Sequence, residues 1–188
     1  IAAFAAHRYD RVGMVLAAEL IAVQSTTGAK EKFAGLVKKA AEKAEGLILM
    51  ADDPGVMEAG LSAAAEKRPL IYAAGPANAG AMADLALKYH CPLAVTAPDV
   101  PTLAALVETV TAQGVTDIVL DSGAPSVARM LADQTAIRRL ALKREKSLGF
   151  PTIAFPARTA TDFMPQMLAA NLAVAKYAGI VVLPDIRG

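Results

Sequence analysis

The 188-residue chain contains a single cysteine, Cys91. A lone thiol excludes an internal disulfide, and by itself it cannot assemble a thiolate cluster or a structural zinc site. An excess of charge of either sign is also lacking: 19 basic side chains against 18 acidic ones leave +1 at pH 7. With no net field to hold polyanions, neither nucleic acid nor an anionic membrane surface is an expected partner. No uninterrupted apolar window approaches the roughly 18 residues of a membrane span, and no basic segment leads into an apolar run and a cleavage site. The cytoplasm is the expected compartment. Histidine is scarce, and of His7 and His90 only the second has a potential ligand beside it, in the dipeptide His90-Cys91. Chain neighbours normally point apart, so the dipeptide is not read as a catalytic dyad. Ser-x-x-Lys, Gly-x-Ser-x-Gly, His-Glu-x-x-His and the phosphate loop Gly-x-x-x-x-Gly-Lys are all missing, so no catalytic residue and no metal ligand is assigned. The apolar opening Ile1 to Ala6 has no start-like residue before it, and the chain is read as part of a longer one.

What the chain does have is a repeating pattern. Short apolar runs recur at Leu20 to Val23, Leu47 to Met50, Leu70 to Ala73, Leu93 to Val95, Ile118 to Leu120, Ile153 to Phe155 and Ile180 to Leu183. Continuous apolar runs are the mark of parallel strands covered on both faces. Between them lie amphipathic segments. In Ala29 to Glu45, Phe33, Leu36, Val37, Ala40 and Ala41 share one helical face while Lys32, Lys38, Lys39 and Lys43 take the other. Gly46 and Gly114 stand where left-handed helix caps would sit, and Pro69, Pro92 and Pro151 precede strands. Residues 12–16 either begin the first strand or lead into it. The pattern is βα repeated without a linker, which places residues 1–188 in one α/β domain. Strand starts recur at intervals close to the roughly 31 residues per unit of an eight-unit barrel of about 250. No strand leads into Gly-x-Gly-x-x-Gly, which disfavours the rival, a doubly wound dinucleotide-binding sheet. The expected fold is a parallel (β/α)8 TIM-type barrel, incomplete in this chain.

In either architecture the reactive face lies at the carboxyl ends of the strands. The residues there include Gln24, Asp52, Asp53, Gly75, Asn78, Thr96, Asp99, Asp121, Ser122, Arg158 and Asp185. Such a mouth could hydrogen-bond a flat polar ring, and Asp52, Asn78 and Asp121 are the candidate lining of that pocket. Structural roles compete with this reading. Asp53, Asp99 and Asp162 each stand where an aspartate caps a helix. Asp121 follows a strand, and capping explains it least. The cluster Arg138, Arg139, Lys143, Arg144 and Lys146 reads as a solvated helix face or as a docking surface for an acidic partner.

Several stretches in register resemble the large subunit of the corrinoid iron-sulfur protein: Asp10 to Gly13, Leu47 to Pro54, Arg68 to Ala74, Cys91 to Val95, Ile118 to Asp121 with Gly123, and Ile137 to Ala141. The resemblance covers nearly the whole chain, although none of these stretches is a catalytic signature. It implies a barrel lying between an iron-sulfur domain and a corrinoid-binding domain, in a heterodimer with a small subunit that is itself a barrel. It also implies that cobalt in the corrinoid (cobalamin) takes a methyl group from a methylated tetrahydropterin, through a pterin methyltransferase, and delivers it to acetyl-CoA synthase. The 4Fe-4S cluster restores oxidised cobalt. Neither cofactor is expected to be ligated by this segment, since the family's cluster needs four cysteines. Ser122 stands where the family commonly has proline, and Thr96 to Asp99 replaces a glycine-rich loop. The rival reading is a stand-alone pterin-binding barrel methyltransferase.

Overall fold

A computed structural model describes residues 8–185. The apolar opening Ile1 to Ala6 and His7 lie outside the described residues. The described chain begins with a hairpin, β1 (Arg8–Arg11) and β2 (Met14–Ala17), paired antiparallel with Arg11 opposite Met14. Its two-residue turn places Val12 at φ 52° and Gly13 at φ 76°, and two consecutive positive φ values match the right-handed twist of the flanking strands. The run Val12 to Leu16 therefore belongs to a hairpin ahead of the sheet and not to its first strand.

Seven parallel strands follow: β3 (Leu20–Gln24), β4 (Gly46–Met50), β5 (Leu70–Ala74), β6 (Leu93–Thr96), β7 (Ile118–Asp121), β8 (Thr152–Ala154) and β9 (Ala178–Val181). They are hydrogen-bonded in chain order from β3 to β9, which excludes a doubly wound sheet, where the order must reverse from a central strand. Five of the seven apolar runs lie within these strands, while Ile153 to Phe155 runs one residue past the end of β8 and Ile180 to Leu183 two residues past the end of β9. Between them lie α1 (Lys30–Ala41), α2 (Pro54–Ala64), α3 (Ala79–Tyr89), α4 (Val100–Ala112), α5 (Val127–Leu142) and α6 (Phe163–Ala175).

Alternation along the strands builds two layers. Leu47, Leu49, Ile71, Leu93, Val95, Ile118 and Leu120 pack outward against Phe33, Val37, Met57, Leu61, Met82, Leu103 and Val107 of the helices. Full burial of each such side chain contributes about 1.5–3 kcal/mol. Packing between α1 and α2 requires Gly60, because a Cβ there would lie 2.5 Å from Phe33 Cε1. Ile48, Leu70, Tyr72, Ala94, Val119 and Ile153 point inward instead, joined by Ala22, Met50, Phe155, Ile180 and Val182. This inner cluster draws on all seven strands, so the sheet curls around it. Among the described residues β3 and β9 are not paired with each other. A cleft of about 1280 Å³ lies between them, lined by Leu20 to Ala22 on one side and Gly179 to Pro184 on the other. The architecture is the incomplete β/α barrel that the repeat predicts.

Helix ends follow local chemistry. Asp53 Oδ1 accepts from Val56 N–H at 2.8 Å, and Asp99 Oδ1 accepts from Thr102 N–H at 2.8 Å. Asp162 occupies the same position before α6 but makes no side-chain capping bond. Gly114 takes a left-handed conformation with φ 105°. Gly46 does not: it opens β4 opposite Leu20, and a Cβ there would collide with Leu20 Cδ2. The left-handed position after α3 is held by His90, at φ 52°.

Candidate functional site at the barrel mouth

Period-two alternation decides which side chains reach the mouth. Two residues beyond Leu70, Val119 and Ile153, the inner face carries Tyr72, Asp121 and Phe155, at the carboxyl ends of their strands. A register shift in β5 alters the pattern locally: Ile71 pairs with Leu93 and Ala74 with Val95, so β5 holds one residue more than β6 over that interval. Tyr72 and Ala73 then both belong to the inner cluster. A bulge of this kind re-aims side chains next to it.

The Tyr72 hydroxyl donates to Asp121 Oδ2. Arg158, in the single 3₁₀ turn after β8, donates from Nη1 to the Tyr72 oxygen at 2.5 Å and to Asp121 Oδ2 at 3.2 Å. Gly123 N–H donates to Asp121 Oδ1 at 2.9 Å. The Arg158 guanidinium carbon lies 4.0 Å from the centroid of the Phe155 ring, and the Phe155 and Tyr72 rings are 4.8 Å apart at 60°. Asp121 is 5% exposed and Tyr72 7%, so the carboxylate is desolvated and requires the partners it has. Burial, followed by the Asp121 charge, raises the Tyr72 hydroxyl far above its ordinary range. The phenol is therefore a standing donor to the carboxylate and not a proton shuttle.

The other two candidates lie on the same face in a different arrangement. Asn78 Oδ1 accepts from Gly75 N–H at 2.7 Å, while its Nδ2 donates to the main-chain oxygens of Asp52 at 3.0 Å and Ala73 at 3.5 Å. Asn78 thereby ties the loop after β4 to the loop after β5. Asp52 takes part through its backbone, and its side chain is exposed. Asp52 and Asn78 are thus brought together, and Asp121 is paired with Tyr72 and Arg158. Tyr72 and Phe155 were hidden in sequence because both sit within apolar runs. Inward alternation from Leu70 and Ile153 was the signal that could have found them.

The donor set does not fit a metal cluster. Cys91 is buried at the entrance to β6, its Sγ lies 3.4 Å from Tyr89 O, and burial pushes its thiol up to about 11. Among the described residues no three His, Cys, Asp or Glu side chains converge as metal ligands. Likewise, among those residues no helix is long and apolar enough to cross a membrane.

Curled parallel strands in chain order, outer helices and a mouth filled by its own Tyr–Asp–Arg cluster define a TIM-type β/α barrel domain. The family of the CO dehydrogenase/acetyl-CoA synthase delta subunit matches residues 2–187, and the chain belongs to it. The chain is 41% identical over 177 residues to the corrinoid/iron-sulfur protein large subunit of Moorella thermoacetica, covering 93% of this chain and 39% of that protein. It is 38% identical over 192 residues to the acetyl-CoA decarbonylase/synthase complex subunit gamma of Methanopyrus kandleri, covering 95% and 41%. The family description names delta, whereas these relatives are large or gamma subunits, and identity across nearly the whole chain favours the latter. The chain thus spans about two-fifths of the length of these relatives. Among solved structures, dihydropteroate synthase from Thermus thermophilus superposes with a TM-score of 0.67 at 18% identity, covering 88% of this chain and 77% of that one. That likeness is one of fold.

Proposed function

We propose that this chain is the barrel scaffold of a corrinoid iron-sulfur methyl carrier. In the whole carrier, a methyl group from a methylated tetrahydropterin reaches the corrinoid through a separate methyltransferase and passes on to acetyl-CoA synthase. The corrinoid and the 4Fe-4S cluster are held by domains outside these residues. The small subunit of the carrier is the permanent partner, and the compartment is the cytoplasm. The names borne by the relatives support the assignment to the carrier. What supports a scaffold role is the state of the mouth: the acceptors of Asp121 are occupied by Tyr72, Arg158 and Gly123, and the amide of Asn78 is engaged by three main-chain groups. A site that recognises a pterin needs unsatisfied donors and acceptors aimed at the ring, and these two residues have spent theirs on neighbouring loops and strands.

The reading is tested on the full-length protein with its small subunit. Equilibrium dialysis with methyltetrahydrofolate should give no saturable binding in the absence of the methyltransferase, while cobalt methylation proceeds when the methyltransferase is added. Stoichiometric pterin binding to the carrier alone, weakened by Asn78→Ala, would reject the scaffold and favour a pterin-binding enzyme.

A further inference from the structure

The seam between β7 and β8 is only partly hydrogen-bonded. Register pairing is confined to Leu120 opposite Thr152, and Leu120 N–H donates to Pro151 O at 2.8 Å. Donors on one edge of a strand recur at every second residue, so the next rung of a parallel ladder would run from Ser122 N–H to Ile153 O. That rung is not made. Among the described residues, neither the main-chain N–H nor the hydroxyl of Ser122 has a hydrogen-bond partner. We propose that one ordered water molecule is bound here, inserted as a bridging rung between Ser122 N–H and Ile153 O and tied to α5 through the side-chain amide of Gln134.

Three observations carry the proposal. The first is the placement of Gln134 on the buried face of α5, between Met130 and Ile137, where an apolar residue would be expected. It is 4% exposed, and its Oε1 accepts from the Thr152 hydroxyl at 2.7 Å. The two hydrogens on Nε2 have no acceptor among the described residues. Second, Gln134, Ser122 and Ile153 line one cavity of about 10 Å³, about the least space that holds a water. Third, the groups at this cavity call for both hydrogen-bond functions. Ser122 N–H and the Gln134 amide need an acceptor, and Ile153 O needs a donor. Water supplies both. A metal cation would meet the N–H donors of Ser122 and Gln134, and an anion would lie beside the Asp121 carboxylate, which also lines the cavity. The site is independent of the unpaired edges of the sheet, because its lining comes from β7, α5, β8 and the turn after β8, and β8 is paired on its far side with β9. Room for one water admits no side chain from elsewhere in the whole protein. A bridged rung fixes the turn from Asp121 to Gly123 against α5, and so holds the Asp121 carboxylate where Tyr72 and Arg158 meet it.

The test is a crystal structure of the full-length carrier with its small subunit, at a resolution where buried waters elsewhere in the protein are visible. A single solvent peak should lie within about 3.2 Å of Ser122 N, Ile153 O and the Gln134 amide. A direct bond from Ser122 N–H to Ile153 O, a gap with no solvent peak, or a peak that refines as an ion would overturn the proposal. Two variants then separate the water from the neighbouring Thr152–Gln134 bond. Both Gln134→Leu and Thr152→Val remove that bond, but only the first takes the amide away from the cavity. Magnetic relaxation dispersion of the solvent should therefore count one long-lived water fewer in Gln134→Leu than in the parent, and the same number in Thr152→Val. An unchanged count in a folded Gln134→Leu variant, or an equal loss in both variants, would reject the bridging role. If Gln134→Leu does not fold, the parent structure decides alone. Neither outcome bears on the scaffold reading, which concerns pterin and cobalt.

Discussion

Tyr72 and Asp121, 49 positions apart in the chain, meet inside the barrel with the phenol of the first donating to the carboxylate of the second. Because burial raises the Tyr72 hydroxyl, the folded protein keeps a proton that the unfolded chain releases from about pH 10. The associated stability is whole below that pH and falls as pH rises above it. Tyr72→Phe should cost about 1–3 kcal/mol at neutral pH, the penalty for a buried acceptor that loses its donor. The gap between parent and variant should narrow above pH 10, where the ionisation cost weighs on the parent alone. Urea unfolding of both proteins across that range checks the sign, and a gap that widens with pH would contradict it.

Asp121→Asn in the complete two-subunit carrier should leave the rate of cobalt methylation within a few-fold of the parent while lowering the melting temperature. A group acting as general acid or base would lose about 10²- to 10⁴-fold in rate. A loss of that size in a folded variant with its corrinoid bound would assign chemistry to the mouth.

Helix capping can be read by comparison. Asp53→Ala should cost about 0.5–2 kcal/mol through loss of the bond from Val56 N–H, and Asp99→Ala should destabilise in the same direction. Asp162→Ala, which removes no capping bond, should fall closest to neutral. The Thr102 N–H holds the Asp99 carboxyl below its ordinary range. Stability contributed by Asp99 is therefore present above the unfolded pKa and is lost as pH falls, so the gap to Asp99→Ala should close in acid. Thermal denaturation of the three variants at neutral and acid pH separates these outcomes.

Cys91 should be inert. With its thiol pushed up to about 11 by burial, little thiolate exists at neutral pH, so reaction with Ellman's reagent should be slow in the native protein and fast after denaturation. Cys91→Ala should leave the iron and cobalt content of the full carrier unchanged. Loss of either metal in a folded variant would make Cys91 a ligand.

Much of the fold was legible because parallel strands buried on both faces leave unbroken apolar runs, so Leu47 to Met50 and Ile118 to Leu120 announce themselves without any long-range information. The hairpin was not, since Val12 to Leu16 has strand-like composition while its turn places a β-branched residue at positive φ, where local propensity favours glycine or asparagine. Left-handed helix ends at Arg68 and His90 escaped notice for the same reason. Asp121 could be picked out as a strand terminus facing the mouth, and Arg158 as a neighbour on that face. Their partnership with Tyr72 could not be seen, because it depends on an extra residue in β5 and on the curl of the sheet.

The sequence by itself determined the number of strands in the parallel sheet, their direction, most helix starts and the family to which the chain belongs, all of which rest on spacing and on side-chain chemistry within a turn or two. Tertiary structure alone decided that the order runs from β3 to β9 without reversal and that Asn78 binds loops together. It also decided that the charge of Asp121 is met by an arginine 37 residues further along the chain. Such contacts form only once strands distant in sequence lie side by side, since the hydrogen bonds and ring stacking that select them have no local pattern to leave behind.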